Sequence, residues 1–247
     1  YLDQFSDDRR QVVEQAKAGG VSRIYLPNID SGSIEGMMEL EKDYPGFFFP
    51  MMGLHPTSVD DQYKRELKVV EGWLEKRDFA AIGEIGIDLY WDKTYLREQQ
   101  EAFRIQLRWA MEKKMPIVIH SRDSFREIFE VIDQVNDGSL HGIFHSFSGT
   151  LDDARHVIDL GFKIGINGIV TFKNSRLDQV VRDIDINELV LETDAPFLAP
   201  VPRRGKRNES AYVRYVAEKI AEVKQMPVEE VARSEEHTSE LQSPLCI

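Results

Sequence analysis

Pro116-Ile117-Val118-Ile119-His120 is a short apolar run that stops on an imidazole. Ala80-Ala81-Ile82-Gly83-Glu84 and Gly142-Ile143-Phe144-His145 have the same form, and Leu189-Val190-Leu191-Glu192-Thr193-Asp194 repeats it near the C-terminus. Apolar runs that are continuous, not alternating, mark strands buried on both faces, and hence a parallel sheet covered by helices. In a parallel α/β barrel the C-terminal strand ends converge on one mouth. Glu84, His120, His145 and Asp194 are therefore expected to meet although they are far apart in sequence. Imidazole and carboxylate ligands together suit a divalent metal.

Outward from these runs, strand-like and helix-like segments alternate, as in βα units. Strands are expected at 24–29, 47–54, 80–87, 116–120, 141–145, 162–167 and 189–194. Helices are expected at 60–75, 94–114, 124–134, 151–160, 176–181 and 209–223, after an opening helix capped by Ser6 and ended by Gly19-Gly20. Seven strands are one short of an eight-stranded barrel, so the first strand is expected to be missing, lying before Tyr1. From Arg233 onward the helical pattern lapses, and residues 233–247 are read as a non-native or disordered tail on a single barrel domain spanning 1–232.

Composition narrows the class. The chain has 247 residues, 42% of them hydrophobic, enough for one α/β barrel. No apolar stretch approaches the roughly 20 residues that span a membrane, and no basic-then-apolar leader opens the chain. A cytoplasmic protein is expected, with no membrane association and no obligate protein partner evident. The formal charge of −12 argues against a broad basic surface for polyanions. It leaves a nucleic-acid substrate open, because bound cations can supply local positive charge. The single cysteine, Cys246, excludes a disulfide framework.

Each candidate has a structural alternative. Glu84 could face solvent, His120 and His145 could be hydrogen-bonded core histidines, and Asp194 could cap a turn. Four such residues at strand ends make a shared site the better account. Arg203-Arg204-Gly205-Lys206-Arg207 reads either as a clamp for phosphates or as a solvated basic loop. Arg122 could meet phosphate or pair with Asp123. Tyr90 and Trp91 could stack on a base, although packing under their own loop is the expectation.

Five motifs in order, Gly53-Leu-His-Pro56, Gly83-Glu-Ile-Gly-Ile-Asp88, Ile119-His-Ser-Arg-Asp123, His145-Ser-Phe-Ser-Gly149 and Glu192-Thr-Asp-Ala-Pro196, resemble the TatD family of metal-dependent hydrolases. The resemblance implies a (β/α)8 barrel of the metal-dependent hydrolase type and a deoxyribonuclease that cleaves DNA phosphodiester bonds. It implies two divalent metal ions, Mg, Mn or Zn. Glu84 would be shared between them, His120 and His145 would hold the second and Asp194 the first. Asp194 would also orient or deprotonate the attacking water, and His55 would sit at the substrate phosphate. Arg122, Arg203 and Arg204 are the candidate substrate contacts.

The family's opening strand ends in a His-x-His pair. None of the six histidines here (His55, His120, His141, His145, His156, His237) is placed to supply it, so a truncated, weakly active or inactive fragment is one alternative. The other is an amidohydrolase-type ester or amide hydrolase, such as an aminoacyl-tRNA deacylase, since water activated by a metal attacks carbonyl and phosphoryl centres alike.

Overall fold

In the computed structural model the backbone is described for residues 1–238 and the side chains through Arg233. The described residues contain seven strands alternating with helices and gather into two compact units. None of their helices is long and apolar enough to cross a membrane.

One unit comprises Leu26–His145 with Leu160–Phe162. It receives the end of β1 (Ile24–Pro27) and contains α2 (Ile34–Asp43), β2 (Phe48–Met51), α3 (Tyr63–Lys76), β3 (Ile82–Asp88), α4 (Leu96–Lys113), β4 (Ile117–Arg122), α5 (Phe125–Val135) and β5 (Gly142–His145). All seven residues of β3 are buried, as the continuous apolar run requires of a strand covered on both faces. β3, β4 and β5 run parallel, with Gly86 opposite His120, Asp88 opposite Arg122, and His120 opposite His145. That register, set by which apolar residues face inward, brings the polar strand ends into line. Helix α4 buries Ala102, Phe103, Leu107 and Ala110, spaced as one helical face, and packs on β3 and α5.

The other unit comprises Tyr1–Tyr25, Ser146–Asp159 and the chain from Lys163 onward. Its elements are α1 (Arg9–Ala18), α6 (Leu151–Asp159), most of β6 (Phe162–Ile166), α7 (Leu177–Asp183), β7 (Leu189–Leu191), α8 (Val213–Lys224) and α9 (Val228–Thr238). β6 and β7 pair in parallel, Ile164 opposite Leu189 and Ile166 opposite Leu191. The Glu192 N–H extends the ladder to the Ile166 carbonyl at 3.1 Å. Arg207 grips both carboxylate oxygens of Asp8 at 2.8 and 2.6 Å and reaches Glu209 at 3.2 Å, the two-pronged geometry at which guanidinium excels.

Several expectations need correction. Ser6 does not cap α1, which starts at Arg9 after Asp8. β7 stops at Leu191, which leaves Glu192 to Asp194 in the loop beyond it. Helix α2 was not expected at all. α9 runs to Thr238, past the point where its sequence loses helical periodicity. Of the expected tail, residues 239–247, with Cys246, lie outside the described residues.

Candidate metal centre

Glu84 is the hub. It lies on β3, 7% exposed, and three imidazoles converge on its Oε1: His120 Nδ1 at 2.9 Å, His55 Nε2 at 3.8 Å and His145 Nε2 at 3.9 Å. Burying a lone carboxylate in its ionised form is costly, and burial by itself pushes the Glu84 pKa up. His145 and the hydrogen-bonded His120 outweigh that and hold the carboxyl well below the ordinary range. The acid is therefore ionised at any physiological pH.

His120 is gripped from both sides. Its Nε2 lies 2.8 Å from Asp88 Oδ2 while Nδ1 engages Glu84. Glu84, Gly86 and Asp88 alternate along one face of β3, and Gly86, the residue opposite His120, has φ 144°. A Cβ there would run into the His120 carbonyl oxygen, so only glycine lets β4 come close enough for one imidazole to bridge both acids. Burial lowers the His120 pKa, but its hydrogen bonds to Asp88 and Glu84 prevail and lift it to about 9.

His55 follows β2 on the turn Pro56–Ser58. Burial depresses its pKa to about 4 in spite of Glu84, so the ring is neutral and keeps a lone pair. His55 Nδ1 accepts from the Thr57 N–H at 3.2 Å and lies 2.7 Å from the Thr57 hydroxyl. That contact turns Nε2 toward Glu84, 3.8 Å from its Oε1.

Two side chains of α4 fix the backbone that carries these residues. Gln106 accepts from the Leu54 N–H at 2.7 Å and donates to the Leu54 carbonyl at 3.3 Å, next to His55. Gln99 does the same for Asp88, at 2.9 and 3.2 Å. Both amides are buried, so losing either would orphan backbone groups with no water to replace it.

One donor atom from each of His55, Glu84 and His120 lies within 4.8 Å of the others, a group that could hold a metal ion. His145 touches Glu84 but falls outside that tighter trio. A neutral imidazole, an ionised carboxylate and a second imidazole, His120 once it has given up a proton to the metal's approach, make a donor set suited to divalent transition metals. Sequence reasoning passed over Asp88; its position four residues beyond Glu84, on the same strand face, was the available signal. His55 was expected at a substrate phosphate, yet it stands among the possible ligands.

The remaining candidates fall elsewhere. Arg122 ends β4 and lies over the Tyr90 ring, its Cζ 3.8 Å from the centroid. It makes no ion pair with Asp123. Tyr90 and Trp91 are 54% and 72% exposed, which overturns the expectation that they pack beneath their loop. Asp194, Arg203 and Arg204 belong to the other unit. There Asp194 has φ 58° and its carbonyl accepts from the Phe197 N–H. Arg203 lies over Tyr212 and Arg204 over Phe172, Cζ to centroid 5.3 and 3.7 Å. Arg207, from the same basic run, is committed to Asp8 and Glu209.

Known proteins resemble this chain along most of its length. The family model described as "TatD related DNase" matches residues 1–240. The "Uncharacterized metal-dependent hydrolase YabD" of Bacillus subtilis is 38% identical over 231 residues, 93% of this chain and 90% of that protein. The "3'-5' ssDNA/RNA exonuclease TatD" of Pantoea ananatis is 26% identical over 242 residues, 96% and 93% of the two chains. Among solved structures, that of the TatD homologue YjjV from Escherichia coli superposes with a TM-score of 0.91 at 26% identity, covering 98% of this chain and 94% of that one. That likeness establishes the fold class as the (β/α)8 barrel of the metal-dependent hydrolases. The matches lend no support to the expectation of a lost first strand.

Proposed function

The chain belongs to the family of TatD related DNases, metal-dependent hydrolases by the names of its relatives, and on that premise we propose that it hydrolyses phosphodiester bonds of DNA at the Glu84 cluster. The observation that carries the proposal is the single Glu84 oxygen ringed by His120, His55 and His145. An ionised acid surrounded by imidazoles is a cation receptor, and His55, Glu84 and His120 would form its core. His145 would join through Glu84, and Asp194 is proposed as a further ligand, and as the carboxylate serving the attacking water, from its motif alone. A divalent ion, when bound, supplies activation of water and neutralisation of phosphate charge. The chain's own part is to fix the donors. Asp88 orients His120, Thr57 holds the His55 ring through Nδ1, and the two glutamines of α4 hold the backbone beneath. An exonuclease name among the relatives supports a nucleic-acid substrate.

The test loads the protein with Mg, Mn or Zn and compares end-labelled single-stranded DNA with carboxylic esters and aminoacyl-tRNA. Metal-dependent cleavage of the DNA is expected. Turnover of the esters alone would overturn the nuclease reading.

A further inference from the structure

The loop after β3 exposes two large rings immediately beside the cluster. Tyr90 and Trp91 stand nearly perpendicular, at 89° with centroids 4.9 Å apart. Exposed aromatic surface of this kind loses free energy to water unless something covers it. Arg122 adds a cation, its Cζ 3.8 Å from the Tyr90 centroid and 5.4 Å from that of Trp91. Among the described residues no carboxylate pairs with Arg122, although Asp123 is its chain neighbour. On a chain with a formal charge of −12, an uncompensated guanidinium on an aromatic face favours an anionic, flat ligand.

The position of this group ties it to the site. His120 and Arg122 lie two residues apart on one face of β4, roughly 7 Å along the strand. Asp88 joins the two directly. One of its oxygens meets His120 Nε2, and the other accepts the N–H groups of Tyr90 and Trp91 at 3.0 and 3.3 Å. The Leu89 N–H bonds the Arg122 carbonyl at 3.0 Å, which ties the loop to β4. The rings are thus held out on a fixed base.

We propose that Tyr90, Trp91 and Arg122 seat one unpaired base of the substrate strand, Trp91 and Tyr90 by stacking and Arg122 by its charge, next to the phosphate that is cut. This rests on the nuclease reading and sharpens it, because only a base freed from a duplex presents a face to stack on. The substrate class is therefore single-stranded or frayed DNA.

The experiment uses the whole protein with manganese and single-stranded oligonucleotides in which one abasic position is walked along the strand. At one position the wild type is expected to show a KM higher on the order of tenfold, the size of one lost stacking contact. Trp91→Ala should raise KM on the intact strand by a similar factor, change kcat by less than about twofold, and no longer sense the gap. Trp91→Phe should restore most of the affinity, and melting curves should match because the ring is exposed. Equal KM values in wild type, Trp91→Ala and Tyr90→Ala, with the abasic effect intact, would overturn the proposal. A second readout separates it from the nuclease reading: quenching of Trp91 fluorescence by the oligonucleotide in EDTA, assigned through its loss in Trp91→Phe. Quenching without any cleavage upholds the base seat and sinks the nuclease reading; neither signal sinks both.

Discussion

Glu84, inside β3, and Glu192, just beyond the end of β7, are both buried acids, one in each unit, and they meet different kinds of neighbour. Glu84 offers one oxygen to three imidazoles. Glu192, fully buried, accepts the Ser146 N–H at 2.5 Å and occupies the space that Gly165 leaves by having no side chain. The first meets side chains that exchange protons and can bind metals, the second receives a backbone N–H. The same residue type thus gathers imidazoles in one place and a backbone N–H in another.

Substitution at the two acids is the sharpest way to break that contrast. Glu84→Gln is expected to weaken metal binding by more than about 100-fold, beyond the range for residues that merely support a ligand, as titration calorimetry would show. Glu192→Gln should instead appear in denaturant unfolding, as a loss of about 1–3 kcal/mol, with metal affinity changed by less than about tenfold. Equal loss of metal in both would erase the distinction.

The two glycines beside these acids extend it. Gly86→Ala forces a side chain against the His120 backbone at a φ of 144°, whereas Gly165→Ala meets the side-chain carboxylate of Glu192. Backbone cannot step aside, so Gly86→Ala should cost roughly 2 kcal/mol more than Gly165→Ala in the same unfolding assay. A smaller effect is expected from Gln99→Leu or Gln106→Leu, about 1–3 kcal/mol of stability from orphaned backbone groups. The last concerns protonation. With His120 lifted to about 9, the metal-free protein gains stability from its protonated ring. That gain is complete below the unfolded histidine value of about 6.5 and disappears as pH rises through about 9. Chelated protein should lose roughly 3 kcal/mol across that interval, and Glu84→Gln should flatten the profile.

β3, β4 and β5 were legible in the sequence because strands buried on both faces leave uninterrupted apolar runs. α2 was not: Ile34-Glu-Gly-Met-Met-Glu-Leu-Glu-Lys-Asp43 has a glycine at its third position and a short apolar face, and its burial of Met37 and Leu40 is decided by packing. Glu84, His120 and His145 were picked out as strand-end residues, and the structure brings them within 4 Å of one oxygen. Asp88 escaped because it sits in the same motif as a more conspicuous acid. The placing of His55 could not be read, since it depends on where a turn folds back. Tyr90 and Trp91 were misjudged because two backbone hydrogen bonds to Asp88, invisible in sequence, turn the loop outward.

Gln99 and Gln106 are seven residues apart on one helix, which spans two turns and about 10.5 Å. α4 therefore works as a ruler, with its two marks set against Leu54 and Asp88. Adding a single residue between the marks would swing one of them about 100° round the helix axis, and both notches could no longer be engaged at once. The same addition beyond Lys113 would only lengthen a loop. The count of residues between those glutamines is thus part of the candidate site's geometry, as much a fixed dimension as any contact with the histidines.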